Sequence, residues 1–345
     1  MSITRNDVAK AAGVGPVTVG RVFNKPNKVS PERRNLVLEA AARLGYEPNR
    51  AAQTLRSQKP DRVVMVESKD RFCSGNWELF SWVWADSTRA VRDALQETRF
   101  HMELKAVDKA NRFWGKSLLE QSWAGVLLSF LENPETVQYL QDLEVPVAQC
   151  GRVPQPEEPW RFYLDEAGTC NAVGQLMAAK GREKPVYLTL GDENAFYNRY
   201  RVAGLRKEYP AISCLTDPQP QVPGGTWEAR PSRKSPGQLR RLKDLASKAA
   251  DGVSQGRWDS IFVANSALVF PVLQALGGRG LSYPSQVGLV CFDVPPLLKT
   301  MGLDLTVVTL PYREMYFEAA KSLVSPRSPE RNRAFKGRII EGNSL

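Results

Sequence analysis

TRNDVAKAAGVGPVTVGRVFNKPNKVSPERRNLVLEAAARLGYEPNRAAQTLR, residues 4–56, is the stretch that decides how the chain is built. Thr4 stands three residues before Asp7, a capping-box arrangement with Asp for the usual Glu, and predicts a helix carrying Val8, Ala11 and Ala12. Gly13 breaks that helix where only a residue tolerant of positive φ sits easily. Gly15 and Pro16 supply an N-cap and a first helical residue, because proline gives up no hydrogen bond at that position. A second helix from Pro16 to Asn24 turns Val19, Val22 and Phe23 inward. Ser30 and Pro31 open a third, striped by Val37, Ala40, Ala41 and Leu44, which Gly45 ends ahead of Pro48. Three short helices with a tight turn after the first predict a helix-turn-helix.

The charge distribution agrees. Residues 1–60 hold eleven Lys/Arg against four Asp/Glu, whereas the other 285 residues hold 36 against 33. A basic excess confined to a small helical head is what phosphate neutralisation and counterion release require. The first ten residues, MSITRNDVAK, carry charges where an export signal needs an apolar run, so a cytoplasmic protein is expected. No apolar run approaches a membrane span. Five cysteines at 73, 150, 170, 214 and 291, without a CxxC pair, read as small buried residues.

The head resembles the DNA-binding segment of the LacI/GalR family in DVAKxAGV, TVxRVxN, VSPExR and LGYxPNRAAxxLR and in the spacing between them. The resemblance implies a recognition helix whose first residues meet base edges in the major groove. Pro16 and Val17 would then set sequence preference by apolar contact, and Arg21 would donate to a guanine. Thr18, Asn24 and Ser30 become candidate phosphate contacts, and Thr4 a further DNA-facing candidate. By the same resemblance, Asn49 to Arg56 forms a hinge helix that inserts Leu55, with its dimer mate, into the minor groove, while Ala52 packs closely there. Residues 15 and 20 are glycine where the family usually has serine. That predicts weaker or more salt-sensitive operator binding.

From Arg62 onward, RVVMVE, HMELKAV, AGVLLSF, VPVAQC, RFYLD, PVYLTL, SIFVAN and QVGLVCF read as strands. Between them lie helical stretches such as 77–98, with Leu79, Phe80, Val83, Val91 and Leu95 on one face. Repeated alternation implies parallel sheets covered by helices. The proline-rich RVPQPEEPWR (152–161) reads as a break between two sheets, and 216–237 as a loop at the edge of the second. RVAGLRKEY, VANS, VGLVCFD and LTVVTLPYREM resemble segments of the family's periplasmic-binding-protein-like effector domain. The expected fold is therefore a small all-α helix-turn-helix head plus an α/β effector domain of two parallel-sheet subdomains. The boundaries are a head at 1–47, a hinge helix and linker at 48–60, and an effector and dimerisation domain at 61–345. Its first subdomain takes about 61–160 and 293–324, its second about 161–292 and 325–345.

Ligands of open parallel sheets bind beyond the carboxyl ends of the strands. Arg201 and Asp293 are the leading effector-binding candidates, as a forked donor and a carboxylate for hydroxyls or an acid group. Asn265, Asp165 and Trp77 join them. Ser266 replaces the Asp of the family's AND motif, yet serine still caps a helix. An enzyme is not expected: GxSxG, HExxH and GxxxxGK are missing, and the single histidine, His101, opens a strand. No cofactor or metal is expected either. The sequence thus predicts a homodimeric regulator, most simply a repressor, that binds a pseudo-palindromic operator under control of a carbohydrate effector. The alternatives are a purine-like corepressor, or a solute-binding protein that has lost specific DNA binding.

Overall fold

The computed structural model describes residues 4–24, 29–46, 60–68, 77–107, 123–130, 138, 145–151, 161–190, 196–217, 236–293, 302–325 and 332–345. The chain divides into two compact units, Met1–Pro60 and Asp61–Leu345. In the first, α1 (Arg5–Ala11), α2 (Pro16–Asn24) and α3 (Pro31–Leu44) surround a core of Val8, Ala9, Val19, Val22, Val37, Ala40 and Ala41. Ala9, not Ala11, is the buried alanine of α1; a seven-residue helix turns only one narrow face inward, and Ala11 lies on the exposed side. Gly13 and Gly45 adopt φ of +63° and +64°, a left-handed conformation a side chain would strain.

The second unit contains two sheets. The first runs β11-β5-β4-β3-β1-β2, built from β1 (Arg62–Ser68), β2 (His101–Val107), β3 (Gly125–Ser129), β4 (Val147–Gly151), β5 (Arg161–Asp165) and β11 (Asn332–Lys336). The second runs β12-β10-β9-β8-β6-β7, built from β6 (Pro185–Leu190), β7 (Ser213–Asp217), β8 (Ser260–Val263), β9 (Gly288–Phe292), β10 (Thr306–Thr309) and β12 (Arg338–Ile340). Every pairing is parallel except β10 with β12. The two strand orders are the same pattern repeated, and each reverses direction at its first strand. Such a switch point opens a crevice beyond the carboxyl ends.

Three strands sit in a different sheet from the one expected. Residues 161–165 pair with β4 in the first sheet, so the proline-rich segment before them joins neighbours within a sheet. Strand 306–309 belongs to the second sheet and 332–336 to the first. Composition marks a turn but not the strand that the chain pairs with next. The loop expected at 216–237 begins inside β7, the edge strand of the second sheet, and 218–235 lie outside the described residues.

Helices cover the sheets with period-two logic. Val186, Leu188, Ile261, Val263, Leu289 and Cys291 face α7 (Pro236–Ser254) and α8 (Val269–Gly277). Tyr187 and Phe262, on the opposite face, pack with α5 (Glu166–Ala179) and α6 (Phe196–Leu205) through Cys170, Val173, Met177, Val202 and Leu205. Over the first sheet, α4 (Trp77–Leu95) and α9 (Tyr312–Val324) bury Val83, Ala90, Val91, Met315 and Tyr316 against Val63, Met65 and Leu127.

Candidate functional site

In the head, the Thr4 amide donates to Asp7 Oδ2 at 2.8 Å and the Asp7 amide donates to Thr4 Oγ1 at 3.4 Å. The Thr4 hydroxyl donates to the same carboxylate at 2.5 Å. Thr4 therefore caps α1. These bonds, the side-chain one foremost, hold the Asp7 carboxyl below its usual range. Gly15 accepts from the Thr18 and Val19 amides through its carbonyl, and Pro16 takes the first helical position, as the sequence indicated. Pro16 and Arg21 are exposed on α2 and Thr18 is half-buried, so the first residue of the second helix and the guanidinium in its last turn both lie outward. Ser30 precedes α3 without a side-chain capping bond and is exposed. The side chains of Val17 and Asn24, and all of Asn49, Ala52 and Leu55, lie outside the described residues.

In the larger unit, Arg201 is 2% exposed, and its charge is met from several sides. Nε and Nη2 donate to Glu166 Oε1 at 3.0 and 2.6 Å, and Nη1 donates to the Ala264 carbonyl at 2.8 Å. Asp293 Oδ2 lies 3.9 Å from Nη2, and the guanidinium carbon sits 3.7 Å from the Phe292 ring centre. Burial alone would lower the Arg201 pKa, but the nearby Glu166, Tyr187 and Asp293 overcome it, and the net shift is upward. Arg201 stays charged.

Glu166, like Tyr312, is a residue that sequence reasoning missed. It opens α5, follows Asp165 directly, and its side chain is fully buried. The DE pair was visible in the sequence, but nothing local says which carboxylate turns inward. Asp165 takes the other part: its Oδ1 accepts from the Gly168 amide at 2.8 Å and caps α5. Helices α5 and α6 come close enough because residue 204 is glycine. A Cβ there would meet the Ala167 carbonyl oxygen at 2.3 Å.

Asn265 is likewise tied to the scaffold, its Oδ1 accepting from the Leu190 amide at 2.8 Å and Thr189 Oγ1 at 3.0 Å. These bonds join the carboxyl ends of β6 and β8 at the switch point. Asn198 extends the network: its Oδ1 accepts from the Tyr187 hydroxyl at 2.8 Å and lies 2.8 Å from Thr189 Oγ1, whose one proton it shares with Asn265. Ser266 is buried, and its hydroxyl has no hydrogen-bond partner among the described residues.

Asp293 and Phe130 are the two non-glycine residues with positive φ among the described residues, at +53° and +49°. Each directly follows a strand of a different sheet, β9 and β3. Such backbones cost on the order of 1–3 kcal/mol and persist only where neighbours impose them. Here the Asp293 amide donates to Val308 and the Phe130 amide to Cys150. The Tyr312 hydroxyl donates to Asp293 Oδ2 at 2.9 Å, linking α9 over the first sheet to the end of β9 in the second. Phe130 and Trp82 pack on Tyr312 at 6.4 and 6.5 Å between ring centres. Trp82, half-buried, thus forms the aromatic wall among the described residues. Trp77 begins α4, but its side chain lies outside them. The structure therefore gathers Arg201, Asp293 and Glu166 into one cluster, and places Asp165 and Asn265 in structural bonds nearby.

Residues 4–49 match the family described as bacterial regulatory proteins, lacI family, and residues 175–345 match the periplasmic binding protein-like domain. The HTH-type transcriptional regulator GalS of Salmonella typhimurium is 46% identical over 315 residues, 91% of this chain and 86% of that protein. The chain belongs to the LacI family. As a LacI-family member it is a DNA-binding transcriptional regulator controlled by an effector. The fold is also that of two solved structures. The lac repressor dimer bound to operator and the anti-inducer ONPF superposes with a TM-score of 0.69 at 18% identity, covering 100% of this chain and 99% of that one. The CelR–cellobiose complex does so with 0.61 at 24% identity, covering 99% and 100%. Among the described residues no helix is long and apolar enough to cross a membrane, and no cluster of three His, Cys, Asp or Glu could hold a metal.

Proposed function

We propose that this LacI-family chain is a homodimeric repressor whose affinity for a pseudo-palindromic operator is set by a carbohydrate held between its two sheets. The observation that carries the reading is the Tyr312–Asp293 bond beside the Arg201 cluster, a polar link between the lobes at the carboxyl ends of the strands. A hydroxyl-rich ligand competing for Asp293 would change that link and hence the angle between lobes. A carbohydrate is further supported by the cellobiose complex of CelR, and a dimer on operator DNA by the lac repressor complex. In this reading residues 1–47 form the head, 48–60 the hinge and 61–345 the effector domain. Pro16, Val17 and Arg21 read bases, Thr18, Asn24 and Ser30 hold phosphates, and Asn49, Ala52 and Leu55 act in the minor groove.

The test is selection of bound DNA from a random duplex pool, followed by titration of the selected operator complex with sugars. The expected result is a palindrome with a central pyrimidine–purine step, the kind most easily kinked. One sugar should then shift operator affinity by roughly 5–150-fold, the usual span of coupling between sites. No enrichment at low salt, with or without metabolites, would sink the repressor reading. A response to a nucleobase and to no sugar would reassign the effector.

A further inference from the structure

The forked donor expected to grip hydroxyls or an acid group is already engaged by the protein, and this bears on what the cleft accepts. Three of the five N–H groups of Arg201 are spent on Glu166 and the Ala264 carbonyl, and Asp293 lies beside a fourth. Among the described residues, one guanidinium thus faces two carboxylates, one more acidic group than basic. Asp165 adds another carboxylate at the same end of α5. The neighbouring Arg199 is exposed and donates to the Tyr200 hydroxyl at 3.0 Å. Among the described residues, the unpartnered buried polar atoms include Glu166 Oε2 at the cluster, Ser266 Oγ after β8 and, in the aromatic wall, the Trp82 indole nitrogen; the one N–H donor of the three is neutral. An anion entering here would meet carboxylates at short range with the guanidinium already engaged, an arrangement that disfavours like charge. A ligand bearing hydroxyl donors would instead find oxygen acceptors waiting.

We infer that the cleft selects an uncharged, hydroxyl-rich effector and excludes its phosphorylated and carboxylated counterparts, with Glu166 as the residue that sets this specificity by occupying Arg201. The inference rests on reading the cleft as the effector site and narrows the ligand class there.

The experiment is calorimetric titration of the full chain with uncharged sugars, each paired with its 6-phosphate and its uronic acid. Alongside it, the sulfate-dependent rise in melting temperature is measured for wild type and Glu166→Gln. The two proteins share one head, so sulfate held by the head cancels in the comparison. An uncharged sugar binding roughly tenfold or more tighter than its anionic counterparts supports the inference. A phosphate or uronate binding as tightly as its neutral parent overturns it. If no sugar of either kind binds, the carbohydrate reading fails and the charge inference is judged by sulfate alone. A larger rise in Glu166→Gln than in wild type upholds it, and equal rises overturn it. Asp293→Asn, which also removes one negative charge, gives the same comparison if Glu166→Gln does not fold.

Discussion

The head and the effector cleft are built on opposite principles. In the head, each feature is made by residues within a few positions of one another: Thr4 caps with Asp7, Gly15 and Pro16 start α2, and Gly45 ends α3. In the cleft, Arg201 depends on Glu166, 35 residues away, and on Ala264, 63 residues away. Ser129 and Tyr316, 187 residues apart, meet behind the aromatic wall at 2.5 Å. The head is a local object whose parts tolerate separate adjustment. The cleft is a convergence, and losing one member leaves the others buried without their partners.

That contrast can be broken or sharpened by substitution. Arg201→Ala leaves Glu166 buried and unpaired and should cost about 3–5 kcal/mol in denaturant unfolding of the effector domain. A loss below about 1 kcal/mol would mean that the cluster is locally relaxed, like the head. Gly204→Ala drives a methyl group into the Ala167 carbonyl. It should destabilise by about 1–3 kcal/mol and weaken effector binding by parting α5 from α6. Unchanged stability would show that the helices can separate freely.

Tyr312→Phe removes the bond between lobes. A loss of about 1.5 kcal/mol is expected, together with a changed effector response of operator binding while operator affinity without effector is kept. Asp7→Asn should have the smallest effect, confined to amide exchange in α1. Because the folded Asp7 carboxyl is held below its ordinary range, its contribution is complete above the unfolded pKa and fades as pH falls through the folded one. Wild type should therefore lose α1 protection in that acid window, and Asp7→Asn should show a flatter profile. Identical profiles would remove Asp7 from the capping account. Gly15→Ser meets open space at an exposed position, so it can test the head by itself: stability should hold while operator binding tightens.

Much of the molecule was legible from residues alone, and the legible part is local. Helix starts and stops in the head, the alternation of strands with helices, and the apolar faces of β6 and β8 all follow from signals that act within one turn or one strand. The family motifs of the head lie in a single run of about fifty residues, so its identity could be read without a fold. Sheet membership could not. The chain passes between the sheets three times among the described strands, and RFYLD, TVVT and NRAFK carry no mark of the partner they choose. Pairing is won by competition among all strands for neighbours and for helix cover, a property of the whole chain.

The same division holds for the site. The sequence singled out Arg201 and Asp293 and the carboxyl ends of the strands. Only the tertiary structure decided that Glu166 rather than Asp165 turns toward Arg201, that Asn265 is spent on β6, and that Tyr312 reaches Asp293 from the other lobe. A side chain's type is written at its own position. Whether its charge is available to a ligand depends on which distant groups are folded against it.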